Sequence, residues 1–337
     1  MRIGLDAHAL DTHAGGNETF VRALLTGLRE AAPETDLVAY VHGRPDTCGF
    51  PAYRLRGRSS WWRVPVGLPL AVRATRPDLL HVQYVAPPWG CPPFVVTLHD
   101  MVWLRFPETL PPLTRRRLAL LTPPTLRRAA RVFVVSAAMK AEAMTRYHVP
   151  EERIDIVPNA VDPAFQQVTD PDRLNAVRRR YGLPPHYVAY LGAVHPRKNV
   201  VRLAAAVARI RERGLPHGLV VIGPDAWRSG PIRAEMLRSG LGPNAVCCTG
   251  FAPREDLPAL LSAADAFAYV SLYEGFGIPV AEALACGAPT LISTDPALME
   301  VAGDAALACD PWDGEAMADA LETLLTDMSL RRRLTLA

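Results

Sequence analysis

The stretch Tyr187-Val188-Ala189-Tyr190-Leu191-Gly192-Ala193-Val194-His195-Pro196-Arg197-Lys198-Asn199 decides how this chain folds. Five apolar residues form a short strand, a loop with Gly, Pro and two cations follows, and a helical pattern runs from Val200 to Arg213. Working outward, the same unit recurs. Strand candidates at Leu219 to Ile222, Val246 to Cys248, Ala266 to Tyr269 and Thr290 to Ile292 alternate with longer helical patterns. An earlier series runs through Arg2 to Leu5, Leu37 to Val41, Leu79 to Gln83, Phe94 to Leu98, Arg131 to Val135 and Ile154 to Val157. Short apolar strands alternating with helices predict parallel sheets covered on both faces. Two such series predict an α/β chain of two Rossmann-like domains facing across a cleft. The turn-rich segment from Pro158 to Pro171 reads as the linker. It sets the domains at residues 1–165 and 166–337.

Length agrees, since 337 residues exceed what one core builds efficiently. An apolar share of 49% and a charged share of 21% are those of a folded globular protein rather than a disordered one. The net charge of +3 is too small for a protein that grips nucleic acid by neutralising many phosphates. No nucleic-acid partner is expected. The basic residues are uneven, with Arg54, Arg56, Arg58 and Arg63 around Trp61 and Trp62, and Arg115, Arg116, Arg117, Arg127, Arg128 and Arg131 beyond. That pattern allows peripheral contact with an anionic membrane, or else a solvated face whose arginine stems cover apolar surface. Six cysteines without a C-x-x-C pair read as reduced thiols. Without a signal-peptide pattern or a long apolar run, the chain reads as cytoplasmic, touching a membrane at its inner face at most.

Chemistry concentrates in loops that follow strands, where open α/β sheets bind ligands. In Tyr273-Glu274-Gly275-Phe276-Gly277-Ile278-Pro279-Val280-Ala281-Glu282, Gly275 and Gly277 suit a tight turn and Pro279 suits a helix start. Free amides there are placed for a diphosphate oxygen. Glu274 and Glu282 suit sugar and ribose diols, because one carboxylate accepts two hydrogen bonds. The bland alternative makes Glu274 a solvated turn residue and Glu282 a helix-dipole residue. After Gly192, Arg197 and Lys198 can meet a diphosphate and neutralise charge on a departing phosphate. As a bare loop they would be a surface turn. Gly15 and Gly16 precede the first helix and permit close approach to phosphate, without the spacing of a dinucleotide fingerprint or a P-loop. His99 ends the strand Val95-Val96-Thr97-Leu98. It can bond a sugar hydroxyl, change charge with pH, or be a structural histidine. Asp100 can cap a helix. Asp170-Pro171-Asp172 fits the D-x-D pattern of a metal site, yet its place in the linker favours a helix cap. No metal is expected.

Together these segments resemble the family-4 retaining glycosyltransferases of the GT-B fold. The segment Glu274 to Glu282 looks like that family's E-x7-E motif, Pro196-Arg197-Lys198-Asn199 like its phosphate loop, and Thr97-Leu98-His99-Asp100 like its first-domain histidine segment. The resemblance implies that Arg197 and Lys198 hold the diphosphate, completed by Gly15 and Gly16. It implies too that Glu282 binds the ribose, Glu274 lies beside the transferred sugar, and His99 contacts that sugar. Gly275, Phe276 and Gly277 would border sugar and phosphate by their backbone, with Gly192 at the start of the phosphate loop. It further implies a nucleotide-sugar donor without cofactor or metal, a glycan or glycolipid acceptor, and, by likeness to bacterial mannosyltransferases, mannose from GDP-mannose. UDP- and dTDP-sugars stay open, as do a nucleotide-sugar epimerase on the same fold and a non-enzymatic sugar-binding protein. Such proteins usually end in a helix that crosses back to the first domain, and the stop at Ala337 suggests that it is absent.

Overall fold

The computed structural model describes residues 1–12, 15–57, 59–224 and 229–336. Ala14 of the glycine loop and Arg58 of the basic cluster lie outside them. The chain divides into two compact units, Met1–Ala160 and Val161–Ala337.

The first unit holds a seven-stranded sheet of β1 (Arg2–Asp6), β2 (Asp36–Val41), β3 (Ala52–Arg54), β4 (Leu79–Gln83), β5 (Phe94–Leu98), β6 (Arg131–Val134) and β7 (Ile154–Ile156). The spatial order is β3-β2-β1-β4-β5-β6-β7, and every pairing is parallel. The second unit repeats the plan with β8 (Tyr187–Leu191), β9 (Gly218–Ile222), β10 (Val246–Gly250), β11 (Ala266–Tyr269), β12 (Thr290–Ser293) and β13 (Ala306–Cys309), ordered β10-β9-β8-β11-β12-β13. These pairings too are all parallel. All residues of β5, β8, β9, β11 and β12 are buried, as helices on both faces of a parallel sheet require.

Two strands were not expected. β3 is a three-residue edge with two exposed positions, and β13 reads Ala-Leu-Ala-Cys, without the β-branched residues that mark a strand. The last described helix, Met328–Leu336, buries Leu330 and Leu334 in the core of the second unit. All six cysteines are free thiols. No helix among the described residues is long and apolar enough to cross a membrane.

The strand order fixes where ligands fit. In each sheet the order reverses between two central neighbours, β1 and β4 in the first and β8 and β11 in the second. Loops leaving the carboxyl ends of such a pair diverge to opposite faces and open a crevice there.

Candidate functional site

In the second unit the two loops singled out from sequence leave the two strands that border the reversal. β8 runs into Gly192 and the turn Pro196–Lys198, while β11 runs into Tyr273–Gly277 and the helix Ile278–Ala285. Asn199, in the left-handed region at φ 62°, donates from Nδ2 to the carbonyls of Val270 (3.1 Å) and Pro311 (2.7 Å). The amide of Leu272 donates to Arg197 O at 2.8 Å, so each loop holds the other. Two glycines let each loop lie close to another neighbour. A Cβ on Gly223 would stand 2.3 Å from Gly192 O, and one on Gly277, at φ 108°, would stand 2.4 Å from Leu298 Cδ2.

This packing brings Arg197, Lys198 and Glu274 together. Lys198 Nζ lies 2.5 Å from Glu274 Oε1, and Arg197 Nη1 lies 2.9 Å from Oε2 and 2.9 Å from Tyr273 O. Lys198 also donates to Tyr269 Oη at 2.5 Å. The side chains of Glu274, Lys198 and Arg197 are 8%, 11% and 16% exposed, which excludes both the solvated-turn and the surface-turn alternatives. Burial alone would raise the Glu274 pKa, but the charges of Arg197 and then Lys198 outweigh it and hold the carboxyl down to about 2. The carboxylate stays ionised between the two basic side chains.

Sequence reasoning missed two partners of this group. One is Tyr269, the last residue of β11. The other is Asp295, whose Oδ2 accepts the Glu274 amide at 3.3 Å while Oδ1 caps the helix Pro296–Ala302 through Ala297 and Leu298. Burial, and after it the charge of Glu274, push the Asp295 carboxyl up to about 6.

Glu282 is brought to a different neighbourhood. It sits inside the helix Ile278–Ala285, buried, and its carboxylate accepts no hydrogen bond among the described residues. The charged groups near it are Arg254 and Asp162, which pair with each other at 2.9 Å. Burial pushes its pKa up to about 7, with Arg254 opposing and Asp162 adding. A raised carboxyl pKa means that the unfolded chain gives up its proton first, so fold stability falls as pH rises from the ordinary value through 7. Glu282→Gln is therefore expected to stabilise the ligand-free protein at pH 8, by roughly 2–3 kcal/mol. If Glu282 receives a ribose diol, as the resemblance implies, it does so in its ionised form, and nucleotide affinity in wild type is expected to fall below pH 7 by about tenfold per unit. In the variant it should be weak and flat. Thermal melts and titration calorimetry between pH 5.5 and 8 check both, and a variant that melts lower at pH 8 would contradict the account.

In the first unit Gly15 is the N-cap of the helix Gly16–Ala31, at φ 61°, with open space where a Cβ would point. Phe20 of that helix packs edge-on against His99 with ring centroids 4.7 Å apart, so the glycine turn and the histidine share one end of the sheet. His99 lies 2.6 Å through Nε2 from Gln83 Oε1. Burial, then the charges of His81 and His8, push its pKa down to about 3. Of the three readings left open for His99, this disfavours a change of charge with pH, because an imidazole held that low stays neutral across the physiological range.

Arg63 needs a second correction. It is not part of an exposed basic face but is buried against the carboxylate of Asp6 at the end of β1. Asp170 caps the helix Pro171–Tyr181 by accepting from Asp172 N at 3.0 Å, and Asp100 accepts from Val102 N at 3.3 Å. A trio with metal-ligand chemistry, His186, His217 and Asp265, gathers its ligand atoms within 4.8 Å at the amino edge of the second sheet, away from both loops. Asp265 Oδ2 there accepts the Tyr187 amide at 2.9 Å.

Two doubly wound units, one with a partly buried cation pair at its strand-order reversal, define a protein of the GT-B fold. A model described as Glycosyltransferase Family 4 matches residues 14–165, and one described as Glycosyl transferases group 1 matches residues 177–336. The chain belongs to this glycosyltransferase family. It is 30% identical over 238 residues to O-antigen chain mannosyltransferase B of Escherichia coli, covering 70% of this chain and 62% of that protein. It is 29% identical over 213 residues to serotype-specific mannosyltransferase WbdA of Escherichia coli, covering 61% and 26%. The chain thus matches less than two thirds of the length of these relatives. The Anabaena protein HepE, solved in complex with UDP and glucose, matches with a TM-score of 0.77 over 99% of this chain and 92% of that one, at 20% identity. That likeness is one of fold.

Proposed function

We propose that this protein is a retaining hexosyltransferase that moves mannose from GDP-mannose to a glycan or glycolipid acceptor, without a metal. The observation that carries the reading is the partly buried pair Arg197 and Lys198, both salt-bridged to Glu274 where two strand ends open a crevice. Fixed cations in a site shielded from water stabilise charge on a leaving diphosphate without reorganising, which is the work a metal does elsewhere. In this reading Glu282 takes the ribose diol, Glu274 lies beside the hexose, and the backbone of Gly275, Phe276 and Gly277 borders both. In the first unit, Gly15 and Gly16 are assigned to phosphate and His99 to the sugar. Retention follows if the departing phosphate helps to take the acceptor proton on the same face. The mannosyltransferase relatives support mannose, and the UDP bound to HepE supports a nucleotide donor.

The deciding experiment is a nucleotide-sugar panel in EDTA, read for binding and for transfer to an acceptor extract. Selective use of GDP-mannose, with transfer and no accumulation of a rearranged donor, is the expected result. Strict metal dependence, an epimerised donor, or binding without turnover would each reject it.

A seat at a membrane's inner face belongs to the same proposal. Trp61, Trp62 and Leu70 are about half exposed, beside an open groove of about 490 Å³ lined by Tyr53, Arg54, Arg56, Trp62, Leu70 and Arg73. Amphipathic rings beside guanidinium groups suit the headgroup layer of anionic lipid. Flotation with vesicles rich in phosphatidylglycerol should retain wild type and lose Trp61→Ala/Trp62→Ala by about tenfold. Equal flotation of both would remove the membrane from the account.

A further inference from the structure

Three residues with metal-ligand side chains stand side by side at the amino ends of the second unit's central strands. His217 precedes β9, His186 precedes β8 and Asp265 precedes β11, and the sheet orders those strands β9-β8-β11. Parallel register aligns them, with Tyr187 opposite Gly218 and Val188 opposite Ala266. The Gly218 amide donates to His186 O at 2.9 Å and the Asp265 amide donates to Tyr187 O at 3.0 Å, so the alignment extends to the residues before the strands. The carbonyls of the outer two are held as well. Arg211 donates to His217 O at 3.2 Å, and Arg331 to Asp265 O at 3.1 Å.

The three side chains converge on one carboxylate oxygen. Asp265 Oδ2 accepts the Tyr187 amide at 2.9 Å, which fixes the carboxylate, and it stands 3.5 Å from His186 Nδ1 and 3.8 Å from His217 Nε2. The two imidazole rings meet edge-on with centroids 5.5 Å apart. Neither imidazole makes a hydrogen bond among the described residues, although His217 is buried and its Nδ1 is shut off from solvent. An imidazolium paired with a carboxylate would close to about 2.7–2.9 Å. The observed gaps are instead near the ~3.4 Å that separates ligand atoms around a tetrahedral zinc with bonds of about 2.0–2.1 Å.

The donors and the surrounding charges select the metal. Two imidazoles and one carboxylate are the protein ligands of an open zinc site, with water as the fourth. Arg211 and Arg331 lie close enough to act on His217 by charge, and they oppose any cation. A hard ion such as magnesium or calcium, held by charge and by many oxygens, finds one carboxylate here. Imidazole bonds supply zinc with affinity that charge does not. The His186 side chain is 54% exposed and gives the metal a path from solvent.

We propose that His186, His217 and Asp265 form a zinc site that pins together the starts of β9, β8 and β11 and stabilises the second unit. The proposal goes beyond the transferase reading, and the zinc takes no part in transfer, because the trio lies at the ends of β8 and β11 opposite to the phosphate loops. It revises the expectation of no metal, which was read from ligand spacing along the sequence, where these three residues lie far apart.

The test uses the full chain, stripped with EDTA and dialysed, then titrated with zinc sulfate by calorimetry and melted with and without the metal. One zinc per chain is expected. At a hundredfold excess over its dissociation constant, zinc should raise the melting temperature by about 5–10 °C. His186→Ala removes a half-exposed ligand, so without metal it should melt as wild type does. It should bind zinc about 100-fold more weakly, the upper end of what losing an outer-shell partner costs. Asp265→Asn keeps an acceptor for the Tyr187 amide and should lose most of the zinc response too. Cobalt in place of zinc should show the intense visible band of a four-coordinate ion, absent from His186→Ala, while magnesium should change nothing. A zinc response that survives both substitutions, no response in wild type, an equal response to magnesium, or a cobalt spectrum unchanged by His186→Ala would overturn the proposal. None of these readouts uses a nucleotide or an acceptor. Below both melting temperatures transfer should be the same in EDTA as with zinc, so a failed donor panel leaves the site standing and a missing zinc response leaves the transferase reading standing.

Discussion

Replacing Lys198 with methionine is expected to lower the rate of transfer by about 10³-fold, with a smaller effect on donor affinity. The reason is the position of Nζ. It is held at 2.5 Å from both Glu274 and Tyr269, 11% exposed, so in the proposed reaction it would meet a leaving phosphate as a fixed charge with little water to screen it. A charge that already balances the ground state gains most when the phosphate gains charge in the transition state. The fold should survive, because Arg197 still bridges Glu274 at 2.9 Å. Removing both cations is another matter. Arg197→Met/Lys198→Met would leave a carboxylate at 8% exposure with neither counter-charge, a loss of about 3–5 kcal/mol. Its pH dependence also reverses. In wild type the lowered pKa of Glu274 contributes stability above the ordinary value that is lost as pH falls towards 2. In the double variant burial outweighs the remaining hydrogen bonding from Ser271, so stability is lost as pH rises. Initial rates and melting curves from pH 4 to 8 check both claims, and transfer within fivefold of wild type for Lys198→Met would reject the first.

What was legible in the sequence was local. The runs Tyr187 to Leu191 and Ala266 to Tyr269 are apolar because both faces of their sheet are covered, and composition alone reports that. β13 escaped because Ala-Leu-Ala-Cys carries no such mark and is a strand only by pairing with β12. The candidate site was legible as two loops but not as one cluster. Glu274 stands 76 residues from Lys198, and nothing in the spacing says that the carboxylate and the cation touch. Only the strand order, which makes β8 and β11 neighbours, brings their following loops together. Arg63 misled for the same reason, since its neutraliser, Asp6, lies 57 residues earlier. Bland readings of charged loop residues assume solvent. They fail here because Glu274, Arg197 and Lys198 have one another instead.

That mutual engagement sets an opposite-signed prediction for Glu274. In the ligand-free protein its carboxylate occupies the two cations that a diphosphate would use. A nucleotide must therefore share or displace an internal counter-ion, and part of its binding energy goes to that exchange. Glu274→Gln keeps the volume and one acceptor oxygen but removes the competing charge. It should bind the nucleoside diphosphate selected in the donor panel about fivefold to tenfold more tightly, while transfer falls by at least about 10²-fold for loss of the charge beside the sugar. Without nucleotide the variant should melt lower than wild type, because Arg197 and Lys198 then repel each other with no carboxylate between them. Saturating nucleotide should restore more of its melting temperature than it adds to wild type. Calorimetry, melting curves and initial rates on one preparation decide the matter. If affinity falls together with turnover, Glu274 holds the two cations in register for the phosphate rather than competing with it. The diphosphate would then bind alongside an intact ion pair rather than by replacing one.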